Sequence, residues 1–307
     1  MYRKCFLCPR ECQIDRTAMA GACRVKAEMK VARAALHMWE EPCISGERGS
    51  GAVFFSGCNL GCVFCQNRAI SGGESGKEIS VDRLVEIFFE LESQGANNIN
   101  LVTPDHYIPS VRAAVEKALN FGFGLPFVYN CSGYEKPETL KLLDGYIDVY
   151  LPDFKYWNSE TAQRYCNAPD YPVRAKAAIA EMVRQTGHCV FDEKGIIQKG
   201  VIVRHLLLPQ HVGEAKRIVG YLYETYKDDI YISLMNQYTP VADADTYARC
   251  PELQRRVTKR EYEKLVQYAL DIGVVNAYVQ EGETARESFI PEFDLVGVER
   301  GRNEERE

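Results

Sequence analysis

Three cysteines stand in the octet Cys58-Asn-Leu-Gly-Cys-Val-Phe-Cys65, immediately after the apolar run 52–55 and the turn Ser56-Gly57. An apolar run closed by Ser-Gly is the pattern of a buried strand that delivers a glycine-containing loop, where backbone can curl round a bound group. Thiolates are ligands for iron–sulfur clusters and for zinc, and both usually take four. Three in one loop leave a metal corner open to a ligand that is not protein. The blander readings are three structural thiols, or a zinc knuckle with a distant fourth ligand. Strand, turn, spacing and the aromatic Phe64 coincide, which favours the cluster.

From residue 52 onward, strands and helices alternate. Apolar runs at 52–55, 99–102, 126–129, 147–151, 201–208, 230–234 and 275–279 read as strands. Val81, Leu84, Val85, Phe88 and Leu91 recur at helical spacing after Ser80, a fair N-cap, and Gly95 ends the run. Further helices are expected at 109–121, 138–143, 211–226 and 260–272, with another opened by Pro172 and closed by Gly187. Residues 188–198 read as a hairpin around Lys194-Gly195. Such a series argues for parallel strands with helices outside, either as a complete barrel or as an open sheet.

The first segment holds Cys5, Cys8, Cys12 and Cys23 beside Pro9 and Gly21, with too little apolar sequence for a core of its own. It reads as a small metal-stapled lobe over residues 1–48, ahead of an α/β domain at 49–290 and a charged tail at 291–307, frayed from Glu299 on. Four thiolates suit zinc or a second iron–sulfur cluster equally. Twelve cysteines would suit a secreted chain, but Met1-Tyr-Arg-Lys-Cys carries no apolar signal. Metal-bound thiols in a reducing cytoplasm are expected instead. The net charge of −6 calls for no nucleic-acid partner, and no apolar run reaches the length of a membrane span.

The octet resembles, residue for residue, the signature of the radical S-adenosylmethionine (SAM) enzymes. Beyond it, over residues 5–290, the chain is most similar to the activating enzymes of glycyl-radical proteins, such as pyruvate formate-lyase activating enzyme, and to their uncharacterised homologues with an N-terminal Cys motif. The resemblance implies a partial (β/α)6 TIM-like barrel with a small Cys-rich lobe. It implies a [4Fe–4S] cluster on Cys58, Cys62 and Cys65, whose fourth iron takes the amino and carboxylate groups of SAM, with Phe64 near the adenine. It implies reductive cleavage of SAM to a 5′-deoxyadenosyl radical, fed by a one-electron reductant such as flavodoxin or ferredoxin. The radical then abstracts hydrogen from a substrate, which the resemblance implies is a glycine of a partner protein. Rival expectations are radical modification of a peptide or small molecule, and a non-catalytic iron–sulfur or zinc protein.

Strand ends supply the remaining candidates, since chemistry in barrel folds sits there. The family places a Gly-Gly-Glu at the end of its second strand, but Gly72-Gly73-Glu74 precedes the first helix here and reads as loop. The second strand ends in Thr103, a candidate for the SAM amino group, with His106 a candidate substrate contact. Asn130 and Ser132 at the third strand end are candidate ribose contacts. Asp153 and Lys155 share one face at the fourth. Arg204, a guanidinium inside an apolar strand, needs a buried acceptor, and the SAM carboxylate would serve. Cys166, Cys189 and Cys250 lack ligand spacing and read as structural. Six strands cannot close as eight do, so a lateral gap is expected, with residues 156–171 lining a mouth suited to a protein segment.

Overall fold

A computed structural model describes residues 1–280 and 291–299. In chain order its strands and longer helices are β1 (Met29–His37), β2 (Ser50–Phe55), β3 (Lys77–Ile79), α1 (Val81–Ser93), β4 (Ile99–Val102), α2 (Ile108–Asn120), β5 (Phe127–Cys131), β6 (Val149–Pro152), α3 (Ser159–Cys166), α4 (Tyr171–Thr186), β7 (Val190–Phe191), β8 (Ile197–Leu206), α5 (Val212–Tyr226), β9 (Tyr231–Met235), α6 (Lys259–Asp271) and β10 (Ala277–Val279).

Strands β2, β4, β5, β6, β8, β9 and β10 pair in parallel in that order. All seven expected strands fall on these elements. The Ser80 hydroxyl accepts from the Arg83 amide at the start of α1, as the sequence pattern predicts. Gly187 follows α4 with φ +69, a conformation that costs a glycine least. Among the described residues the sheet ends in β10 on one side and β3 on the other, so it is a partial barrel with an open side.

Side-chain alternation sorts the barrel interior into layers. Val128, Val149, Leu151 and Ile202 form an apolar layer with Cys43 and Ile44. Two residues on, the same faces of β5 and β8 carry Asn130 and Arg204. The outward face, with Leu101, Tyr129, Tyr150, Val203 and Leu234, belongs to the larger core under the helices.

Three features are absent from the sequence reading. β1 lies antiparallel on β2, and β3 antiparallel on β1, so the barrel edge is extended rather than bare. Residues 291–299 pack back on that extension. The Leu295 amide donates to the Ala32 carbonyl at 3.0 Å, the Ala34 amide donates to the Val296 carbonyl at 2.8 Å, and Val298 is buried. Beyond Glu299 the expected frayed tail lies outside the described residues. Finally, residues 1–28 form neither helix nor strand and are tied down by polar contacts. Arg16 is fully buried and donates to the carbonyls of His106 at 2.6 Å, Val25 at 3.3 Å and Lys26 at 2.5 Å. Its removal strands three acceptors. Arg16→Met is expected to cost about 2–4 kcal/mol in denaturant unfolding, with an unchanged result refuting its role as the lobe's anchor.

Candidate active site

The three-thiol loop begins where β2 ends. Gly57 has φ +90, and a Cβ there would stand 2.8 Å from the Cys23 carbonyl oxygen, so only glycine permits the turn. The Cys58 amide donates to that same carbonyl at 3.1 Å. Arg10 spans the loop and the end of α3, donating to the carbonyls of Asn59 at 2.8 Å, Leu60 at 3.1 Å and Cys166 at 2.8 Å. Phe64 is buried edge-on against Tyr156, Tyr165 and Tyr238. The loop is therefore rigidly framed from both sides.

Cys58, Cys62, Phe64 and Cys65 face a cleft of about 1210 Å³, which Thr103, Asn130, Ser132, Asp153, Lys155 and Arg204 also line. Every proposed SAM-contact residue is thus gathered at one opening, at the strands' C-terminal ends. The Cys166 thiol, hydrogen-bonded to Cys62, pulls that cysteine down to about 6, with Lys155 and the Tyr156 hydroxyl assisting against burial. Tyr156 Oη lies 3.4 Å from the Cys62 sulfur. Burial instead pushes Cys58 up to about 12.

A paired charge network occupies the floor. Arg204 donates from Nε to Asp153 at 3.0 Å, from Nη1 to Glu40 at 3.1 Å and from Nη2 to Asn130 at 2.5 Å. Lys155 pairs with the other oxygen of Asp153. Glu40 also accepts from Asn100 at 3.0 Å. Burial acts to raise Asp153, but Lys155 and Arg204 hold it below the usual carboxylate range. Burial pushes Glu40 and Glu41 up. The acceptor that a buried guanidinium demands is supplied by the chain itself, so that demand alone does not call for the SAM carboxylate. Gly133, at φ +76, lets this happen: a Cβ there would come within 2.1 Å of the Asp153 carbonyl oxygen.

Thr103 adopts φ +58, a strained backbone for a β-branched residue, and its amide donates to the Asn130 carbonyl at 2.8 Å. His106 is not in the cleft. It is buried with Nε2 at 2.8 Å from the Ser56 carbonyl, which corrects the expected substrate contact. Gly72, Gly73 and Glu74 also lie away from it, with the Glu74 carbonyl accepting from Lys30. Residues 156–171 do not line the opening; Tyr156, Tyr165 and Tyr171 are fully buried behind the loop. Their aromatic side chains serve packing, which outweighed the polar residues between them. Glu40 and Cys166 are the site residues that sequence reasoning missed. Neither carries local motif spacing; both arrive through tertiary contacts. Of the four cysteines of the first segment, Cys5, Cys8 and Cys23 are buried and Cys12 is half-buried.

Beside the cleft, Asp105, Cys131 and Glu135 have their polar atoms within 4.8 Å of one another, all buried. Tyr129 donates to Asp105 at 3.1 Å and the Cys131 thiol to Glu135 at 3.4 Å. Burial raises Asp105 to about 6 and Glu135 well above its usual range.

Residues 52–198 match the family model of the radical SAM superfamily. It is 28% identical over 276 residues to the uncharacterized protein MJ0674 of Methanocaldococcus jannaschii, spanning 88% of this chain and 75% of that one. A radical SAM methyltransferase from Sphaerobacter thermophilus superposes with a TM-score of 0.50 at 13% identity, covering 75% of this chain and 66% of that one. Streptococcus suis SuiB bound to S-adenosylmethionine gives a TM-score of 0.48 at 14% identity, covering 73% of this chain. The chain spans about half of SuiB's length, 48%.

Two outcomes follow from this geometry. Arg204→Leu leaves the buried Glu40 without a cationic partner and Asp153 with Lys155 alone, and is expected to cost about 3–5 kcal/mol in unfolding without SAM; unchanged stability would refute the network. Burial keeps Asp105 protonated up to about pH 6, whereas the unfolded chain releases that proton near pH 4. Its contribution is complete below the lower value and fades as pH rises through about 6. Asp105→Asn should flatten the stability slope across that window, and an unaltered slope would show that Asp105 is not held protonated there.

Proposed function

We propose that this protein is a radical SAM enzyme that cleaves S-adenosylmethionine reductively and uses the product to take a hydrogen atom from a substrate. The observation that carries the reading is the meeting, in one cleft, of three thiols on a strand-end loop with a fixed set of paired charges. With a [4Fe–4S] cluster on Cys58, Cys62 and Cys65, the chemistry supplied is one-electron reduction of the SAM sulfonium to a 5′-deoxyadenosyl radical.

The protein's own residues orient SAM. Lys155, beside Cys62, offers its ammonium to the SAM carboxylate, and the Asp153 and Glu40 carboxyls accept from the amino group. Thr103 adds a polar contact to that amino end. Asn130 and Ser132 serve the ribose, and Phe64 flanks the adenine. Arg204 acts through its partners, fixing Asp153, Glu40 and Asn130 in one geometry. The buried aromatic wall behind the loop keeps water from the reacting atoms.

The substrate we favour is a glycine of a partner protein, as in the activating enzymes. The open side of the barrel supports it, because an extended segment can enter there. The reading requires a one-electron donor of the flavodoxin or ferredoxin kind and a reducing, cytoplasmic setting. Cys5, Cys8, Cys12 and Cys23 would hold a second metal, zinc or an iron–sulfur cluster, since four thiolates suit either.

The test is to reduce reconstituted protein with dithionite and measure 5′-deoxyadenosine. Cys62→Ala should retain the circular dichroism spectrum and lose at least a hundredfold in product. Cleavage at the wild-type rate in that variant would overturn the proposal. With SAM deuterated at the 5′ carbon, exchange of label with a protein from the same cell supports the activating role, and exchange with small molecules alone rejects it.

A further inference from the structure

The three-thiol loop has a second, outer face, and that face is strongly basic. Behind the loop lies a separate open cleft of about 1100 Å³ whose floor is the loop itself, Cys58 through Gly61 with Val63. Cys58 and Leu60 border both clefts, so the loop is a partition one chain thick between them. Arg10, Arg24, Arg164 and Arg249 surround the outer cleft, and no carboxylate lines it.

Most of this charge is not neutralised. Arg164 pairs with Glu252 at 2.9 Å. Among the described residues no carboxylate pairs with Arg10, Arg24 or Arg249; all three guanidiniums donate to backbone carbonyls, and that of Arg10 also lies over the Tyr134 ring. Arg24, Arg164 and Arg249 are exposed. A chain of net charge −6 thus concentrates positive charge at one place, over the back of its ligand loop. Like charges gathered this closely raise one another's cost unless a complementary partner offsets them.

We propose that this arginine-rimmed cleft is the docking surface for an acidic one-electron carrier protein. The inference rests on the reading that Cys58, Cys62 and Cys65 hold a redox group, and it assigns the side from which that group is reduced. One electron leaves the docked donor and passes across the loop to the group behind Cys58; no bond is made or broken and no proton moves. The SAM cleft stays closed to the donor, so delivery of the electron does not require SAM or substrate to leave. A carrier with a carboxylate-rich rim fits the charge and is steered to it from a distance.

The test is direct binding of flavodoxin, an acidic flavoprotein, to the full-length holoprotein by calorimetry, with chemical reduction as a second readout. Arg24→Glu/Arg249→Glu is expected to weaken binding at least tenfold at low ionic strength. Lys194→Glu/Lys259→Glu, which changes net charge equally on another surface, should bind like wild type. On wild type, rising salt should weaken binding progressively, a result that needs no variant. SAM cleavage driven by dithionite should match wild type in both double variants. If wild type itself gives no cleavage with dithionite, the enzymatic reading fails independently of docking. Equal affinity of both double variants, salt-independent binding, or a single-stranded oligonucleotide outcompeting flavodoxin for the cleft would overturn the proposal.

Discussion

The guanidinium of Arg204 brings a full charge to the end of a strand whose neighbours Val201, Ile202 and Val203 are completely buried. In so low a dielectric it must be paired, and its acceptors come from three other parts of the fold. Asn130 arrives on β5, Asp153 just after β6, and Glu40 from the connection following β1. One side chain therefore ties strand ends that are distant in sequence into a single floor. Asp153, in turn, positions Lys155 toward the thiol loop. An apolar residue at position 204 would leave Glu40 without a cation and nothing to align these groups, so the network sets the registration of the site.

The loop opposite that floor is held from the other direction. Cys23 offers its carbonyl to the Cys58 amide, and Arg10 clamps the carbonyls of Asn59 and Leu60. Both clamps come from the first segment, which has neither helix nor strand. That segment is accordingly less an appended module than the outer wall of the ligand loop. Its fully buried Arg16 reaches as far as the His106 carbonyl at the end of β4, so lobe and barrel share one set of hydrogen bonds. Loss of order in the lobe would be felt at Cys58 first.

Much of this was legible in the sequence because the signals were local. Alternation of apolar runs placed the seven parallel strands, and Ser80 and Gly187 marked helix ends through cap and turn chemistry. The octet carried its meaning in its spacing. β1 was not legible: its sequence, Met-Lys-Val-Ala-Arg-Ala-Ala-Leu-His, is rich in good helix formers, and pairing with the β2 edge overrides that preference. Glu40 stood in an unremarkable Glu-Glu-Pro turn and becomes a site residue only because β1 runs antiparallel to β2. Cys166 had no ligand spacing, and its closeness to Cys62 exists only once α3 folds beneath the loop. The Arg204 signal was read correctly as a demand for an acceptor, but the sequence held no sign that the chain would meet it internally.

We propose that the thiol loop and the charge floor together hold SAM by its amino and carboxylate ends against an open metal corner. The most direct measurement is electron–nuclear double resonance on the reduced protein, with SAM labelled by nitrogen-15 at the amino group and oxygen-17 in the carboxylate. Hyperfine coupling of both labels to the paramagnetic centre is expected. A reduced centre that shows neither coupling at saturating SAM would mean that its metal corners are all filled by protein, and would contradict the claim.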